Sequence, residues 1–215
     1  MQTWSRRRWL RDCSLSVAAC AAAGPLAAQA PRTLLVLGDS LSAEYGLARG
    51  QGWVALLEQR LQSERLPWRV VNASISGDTT SGGRSRLPAL LLEHKPAVVV
   101  IELGGNDALR GLPIASTEAN LLAMTRAAKA AGARVLLVGM LVPPNYGRRY
   151  IEDFSRSFES VARSEQTALV PFFLAGIADG PDPVALFQSD RIHPKAEAHP
   201  RMLDNVWPAL KGLLR

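Results

Sequence analysis

Thr33-Leu34-Leu35-Val36-Leu37-Gly38-Asp39-Ser40-Leu41 is the stretch on which the fold turns. Its first five residues are nearly all apolar, which suits a strand covered on both faces better than one with a wet side. The run stops at a small residue followed by two polar ones. Residues 97–103, Ala-Val-Val-Val-Ile-Glu-Leu, repeat that character. Three shorter candidates join them: Trp68 to Ala73, Arg134 to Met140 and Thr167 to Val170.

Between these strands, Trp53 to Glu64, Ser116 to Ala131 and Glu152 to Glu165 place apolar residues three and four apart with charges opposite, the spacing of amphipathic helices. Lys195 to Leu214 closes the chain as a further helix. Strands alternating with helices through short connections predict a parallel sheet with helices on both faces. The expected fold is therefore α/β, a flavodoxin-like three-layer sandwich around a five-stranded sheet. In such sheets ligands sit beyond the carboxyl ends of the strands. Residues just after each apolar run are the places to search for chemistry.

The 215 residues, 47% hydrophobic and 20% charged, allow one good-sized domain. A net charge of +6 raises the question of nucleic acid, but its distribution argues otherwise. Arg6, Arg7, Arg8 and Arg11 stand against Asp12 alone in residues 1–30, leaving 21 basic and 18 acidic side chains spread over the rest. No basic run with interleaved aromatics follows, so no nucleic-acid footprint is expected.

Residues 1–30 read as an export signal: a basic start, an Ala-rich apolar stretch from Cys13 to Ala28, then small residues. Residues 31–215 are expected to form one domain. The leader's arginines resemble a twin-arginine signal, and an ordinary secretory signal is equally Arg-rich. Ala28-Gln29-Ala30 has the small-x-small form of a cut site, with Pro31 after it. Val17-Ala18-Ala19-Cys20 resembles a lipoprotein box, which would anchor the protein to a membrane through Cys20. The expected location is periplasmic, with lipid anchoring as the alternative. Both cysteines lie in the leader, so no disulfide, Cys nucleophile or Cys-based metal site is expected in the mature chain.

Four blocks follow strand ends. In Gly38-Asp39-Ser40-Leu41 a Ser on a sharp strand-to-helix turn presents its Oγ and its backbone N–H above the sheet; the same four residues also suit an ordinary loop with a helix cap. In the segment 73–83, Gly77 offers an unobstructed N–H, and Asp78 and Thr79 start a helix. Gly104-Gly105-Asn106-Asp107 brings backbone close to a ligand and lets Asn106 donate its amide, with no helix pattern immediately following.

The fourth block, Asp190-Arg191-Ile192-His193-Pro194, holds one of three histidines. His94 ends a helix beside Glu93 and Lys95, as a solvated residue or a favourable charge there. His199 is expected to be structural. His193 differs because Asp190, three residues earlier, can reach its Nδ1 and fix the tautomer whose Nε2 accepts a proton. A serine hydroxyl needs such a base to attack at neutral pH.

In order and content these blocks resemble the SGNH hydrolases, also called GDSL esterases and lipases, and in particular the bacterial multifunctional thioesterase/lysophospholipase/arylesterase type. The likeness spans roughly residues 33 to 214 and includes Pro143 to Tyr150. It implies the SGNH hydrolase fold, no metal and no organic cofactor. Ser40, Asp190 and His193 would be catalytic, with the N–H groups of Ser40 and Gly77 and the amide of Asn106 as the oxyanion hole. Arg191 departs from the pattern by standing where relatives often have a small residue.

The loops at 41–52, 108–115 and 142–150 mix Leu, Ile, Pro and Tyr with few charges beyond Arg110, Arg148 and Arg149, which favours small-molecule acyl or aryl esters, lysophospholipids and acyl thioesters. No obligatory protein partner is evident. A carbohydrate or peptidoglycan O-acetylesterase would use the same residues. A non-catalytic binding module on the same fold is a rival of another class, and a mononucleotide or flavin binder would need a Gly-rich phosphate loop of the usual spacing after the first strand, which is absent.

Overall fold

The computed structural model describes residue 1 and residues 30–215. The leader reading, including Cys13, Cys20 and most of the Ala28-Gln29-Ala30 cut site, lies outside the described residues. Among the described residues no helix is long and apolar enough to cross a membrane.

The elements alternate as expected: β1 (Arg32–Gly38), α1 (Trp53–Ser63), β2 (Trp68–Asn72), α2 (Thr80–His94), β3 (Val98–Glu102), a short α3 (Gly105–Leu109), α4 (Ile114–Ala130), β4 (Arg134–Val138), α5 (Arg148–Glu165), β5 (Ala168–Val170) and α6 (His199–Leu213). All strand pairs are parallel, in the order β2-β1-β3-β4-β5. That is the flavodoxin-like order, whose switch point falls between β1 and β3.

Alternation along β1 explains why the sheet needs helices on both sides. Leu34 and Val36 pack with α1 and α6 against Trp53, Leu57, Val206 and Leu210, whereas Leu35 and Leu37 pack with α2, α4 and α5 against Leu87, Leu121, Phe154 and Phe158. None of these twelve side chains is more than 2% exposed. Burying a Leu, Val or Phe side chain of this kind is worth roughly 1.5–3 kcal/mol, so the two cores fix the register of β1 and with it the position of residues 38–42.

Three local expectations are corrected. Ser40 is followed by successive turns over residues 40–46 rather than by a helix, and α1 begins only at Trp53. A five-residue helix, α3, does follow Gly104 directly, because Asp107 accepts the Thr80 N–H at 2.8 Å and the Thr117 hydroxyl at 3.3 Å and draws the chain into a turn. The stretch from Lys195 to Leu214 is not one helix: a single 3-10 turn, Ala196–Ala198, precedes α6, which opens at His199 with proline in its first turn.

Candidate active site

The loop after β1 is held by buried polar contacts. Asp39 Oδ1 accepts the Leu41 N–H at 3.0 Å and its carbonyl accepts the N–H groups of Ser42 and Ala43 at 3.2 and 3.0 Å. The Ser42 hydroxyl donates to Glu102 Oε2 at 2.7 Å and accepts from the Trp53 indole at 3.0 Å. A Cβ at position 38 would stand 2.7 Å from Ser42 Oγ and 2.9 Å from Glu102 Oε2, so only glycine fits this crossing. These contacts leave Ser40 at the crest of the turn.

From the far end of the chain, residues 188–194 reach the same crest. Ser40 Oγ donates to His193 Nε2 at 2.8 Å, and His193 Nδ1–H donates to Asp190 Oδ2 at 2.7 Å. Asp190 Oδ1 accepts the N–H groups of Ile192 and His193 at 2.9 and 3.0 Å, which folds the turn that carries both groups. The His193 bond and then these N–H groups hold the Asp190 carboxyl down to about 2, ionised at any ordinary pH. The tautomer follows: with Nδ1 bonded to a carboxylate, Nε2 is left as the acceptor facing the serine.

Further contacts brace the imidazole. The Tyr45 ring lies on it with centroids 4.2 Å apart. The Gln188 amide donates both to the Tyr45 carbonyl at 3.0 Å and to the Pro194 carbonyl at 3.1 Å, clasping the serine loop to the histidine loop. His199 Nδ1 accepts the Trp53 N–H at 3.0 Å, which ties the start of α1 to the start of α6. Its buried position pushes its pKa down and favours the neutral acceptor. Its expected structural role is therefore what the geometry gives it.

The other two blocks follow the strands on either side of β1: the Gly77 block follows β2, and the Asn106 block follows β3, across the switch point. The Asn106 amide donates to Asp39 Oδ2 at 2.9 Å, leaving its second N–H for the cleft. Gly77 occupies the third position of a turn in which the Asp78 N–H donates to the Ile75 carbonyl at 3.0 Å; its φ of +79° is the left-handed geometry that favours glycine there. Among the described residues, the backbone N–H groups of Ser40 and Gly77 donate to no other protein group. Two free amides and a side-chain amide beside a serine hydroxyl are the parts from which an oxyanion site is made.

Beneath them lies a pair of acids. Burial raises the Asp39 carboxyl to about 6, against the opposing pull of the Leu41 N–H and the Asn106 amide. Burial and then the neighbouring Asp39 charge raise Glu102 well above the carboxylate range. Glu102 and Gln188 were not singled out in the sequence. Glu102 was visible there as the one acid in an otherwise apolar run, whereas nothing local marks Gln188.

Fold and geometry together define a serine hydrolase of the α/β class. Residues 36–201 match the model of the GDSL-like Lipase/Acylhydrolase family. Esterase TesA of Pseudomonas aeruginosa is 60% identical over 185 residues, spanning 86% of this chain and 90% of that protein. Thioesterase 1/protease 1/lysophospholipase L1 of Escherichia coli K12 is 46% identical over 187 residues, 87% of each chain. A crystal structure of TesA superposes with a TM-score of 0.81 at 59% identity, covering 85% of this chain and 99% of that one. This chain belongs to the GDSL-like lipase/acylhydrolase, or SGNH hydrolase, family, and it is an ester-bond hydrolase.

Proposed function

We propose that the chain hydrolyses carboxylic esters and thioesters of acyl and aryl substrates, lysophospholipids among them, through an acyl-enzyme on Ser40. The observation that carries this is the unbroken line from Ser40 Oγ through His193 to Asp190, with bonds of 2.8 and 2.7 Å. His193 Nε2 takes the hydroxyl proton as Ser40 Oγ attacks the acyl carbon, and Asp190 stabilises the imidazolium. The N–H groups of Ser40 and Gly77 and the Asn106 amide receive the oxyanion. Imidazolium then protonates the leaving alcohol or thiol as it departs. In the second half, water attacks the acyl-enzyme, His193 takes its proton, and that proton returns to Ser40 Oγ as the carboxylic acid leaves.

An apolar rim supports the acyl and aryl assignment. Tyr45, Ile75, Leu109 and Ile192 are each about half exposed, and each neighbours one of the site's blocks. Apolar side chains left exposed in the segments that carry the site's blocks favour an apolar substrate. The names of the TesA and thioesterase/lysophospholipase relatives point the same way.

The export reading is part of the proposal: residues 1–30 are a leader removed to give a periplasmic enzyme, with retention through a lipid on Cys20 as the alternative. Mass measurement of the processed N-terminus separates the two.

Hydrolysis of p-nitrophenyl esters across acyl lengths by wild type and Ser40→Ala tests the assignment. Turnover of medium and long chains that Ser40→Ala lacks is the expected result. Turnover of acetylated sugars alone would make the protein an O-acetylesterase. Equal rates in the two proteins would end the nucleophile assignment.

A further inference from the structure

The three groups read above as oxyanion donors are joined by a closed ring of hydrogen bonds. The Ile75 N–H donates to the Gly38 carbonyl at 3.0 Å, tying the Gly77 turn to the strand end before Ser40. Asp39, adjacent to Ser40, accepts the Asn106 amide at 2.9 Å, tying the serine loop to α3. The remaining side, from α3 back to the Gly77 turn, is closed by Arg110. Its backbone N–H donates to the Asn106 carbonyl at 3.1 Å, and its guanidinium Nη2 donates to the Gly77 carbonyl at 2.7 Å.

We infer that Arg110 is a positioning residue for the oxyanion site, holding Gly77 and Asn106 at a fixed separation. The inference rests on the reading of Gly77 and Asn106 as oxyanion donors. Three features make Arg110 suited to the task. The turn at 75–78 is braced at its ends, by the Asp78-to-Ile75 bond and by Arg86 on the Asp78 carboxylate at 2.8 Å, whereas at its crest Gly77, at φ +79°, carries no side chain to pack and Arg110 is the side chain that bonds its carbonyl. A guanidinium bond to a carbonyl is charge-assisted, and so stiffer than a neutral one. The Arg110 side chain spans from the end of α3 to that carbonyl without entering a salt bridge among the described residues, so its charge is committed to the turn.

The consequence is kinetic. Oxyanion donors act only where charge develops, and a small displacement of one weakens transition-state binding while leaving ground-state binding in place. Loosening this ring therefore lowers kcat and spares KM.

The test uses Arg110→Ala and Arg110→Lys with a p-nitrophenyl ester and with an alkyl trifluoromethyl ketone, whose hemiketal with the serine presents an oxyanion. For Arg110→Ala, kcat falls on the order of 5- to 30-fold with KM within twofold, and the ketone inhibition constant rises by a similar factor. Arg110→Lys recovers part of both losses. The melting temperature of each variant shows that it is folded. A kcat within twofold of wild type in Arg110→Ala overturns the inference, as does a loss confined to KM, which would place Arg110 on the substrate instead. Asn106→Ala in the same series separates the two claims: if it loses activity while Arg110→Ala does not, only the positioning role fails, and if it loses none, the donor assignment beneath it fails.

Discussion

Two aspartates flank Ser40 and His193, and their surroundings push them in opposite directions. Asp39 sits in the floor beside Ser40, 3% exposed, where burial lifts its carboxyl to about 6. Asp190 stands on a surface turn with about a third of its side chain in water, where the His193 ring and two backbone N–H groups hold it down to about 2. One acid serves the serine and oxyanion side by accepting the Asn106 amide, and the other serves the base by accepting the imidazole N–H. The site is thus assembled from a floor built into the core and a strap laid over it from the end of the chain. In the proposed mechanism the floor fixes where charge develops and the strap supplies the proton transfer.

Changing each aspartate to its amide sharpens this comparison. Asp190→Asn can present an N–H to Nδ1 and favour the wrong tautomer, so kcat on a p-nitrophenyl ester should fall on the order of 10⁴-fold, the size such a change has in an unrelated serine protease. A fall of less than tenfold would remove Asp190 from the base. Removing an amide from the floor comes next: Asn106→Ala should cost on the order of 10² to 10³ in kcat with KM little changed. A near-normal rate would show that the floor's donors lie elsewhere.

Asp39→Asn should have a smaller effect on rate, about tenfold, because the amide oxygen still accepts the Asn106 N–H without a charge. Its effect on stability should have the opposite sign. A carboxyl raised to about 6 contributes stability that is fully present below its ordinary value of 3.8 and is lost as pH rises through about 6. Asp39→Asn should therefore melt higher than wild type at pH 7 and show a flatter melting temperature between pH 4 and 6.5. A variant that melts lower at pH 7 would mean that the ionised carboxylate is needed for folding.

The smallest effect belongs to the strap's own titration. Asp190 is depressed, so its contribution is present above 3.8 and is lost only as pH falls through about 2. Because the group is partly in water, the change in melting temperature that Asp190→Asn makes should be small, and the part due to the carboxylate's own charge should shrink as pH falls below 4. A change that persists undiminished down to pH 2 would contradict the assignment of its charge.

The same division between floor and strap decides what the sequence makes legible. β1 and β3 stand out because they are apolar on both faces, and the residues that follow them inherit their position from the rule for parallel sheets. α2 is harder to see, since Gly82, Gly83 and Pro88 interrupt it and its buried face is only Thr80, Gly83, Leu87 and Leu91. Its Gly83 matters for packing: a Cβ there would stand 2.3 Å from the Leu103 side chain. Ser40, Gly77, Asn106, Asp190 and His193 stand out as candidates because each sits in a short block with its own chemistry.

What holds them does not. Asp39 meets Asn106 across 67 residues and Ser42 meets Glu102 across 60; Gln188 reaches Tyr45 across 143. No local period encodes such pairs, because they exist only once the sheet has set the strand order. Arg191 is a local feature that the strap tolerates: it adopts φ +57°, which glycine would take at less cost.

The central claim is that Ser40 is the hydroxyl activated by His193, and covalent labelling reads it directly. A fluorophosphonate incubated with the wild-type protein, followed by digestion and peptide mass spectrometry, should place one adduct on Ser40, and Ser40→Ala and His193→Ala should take up little or none. An adduct on another residue, equal labelling of Ser40→Ala, or a wild-type protein that stays unlabelled would contradict the account.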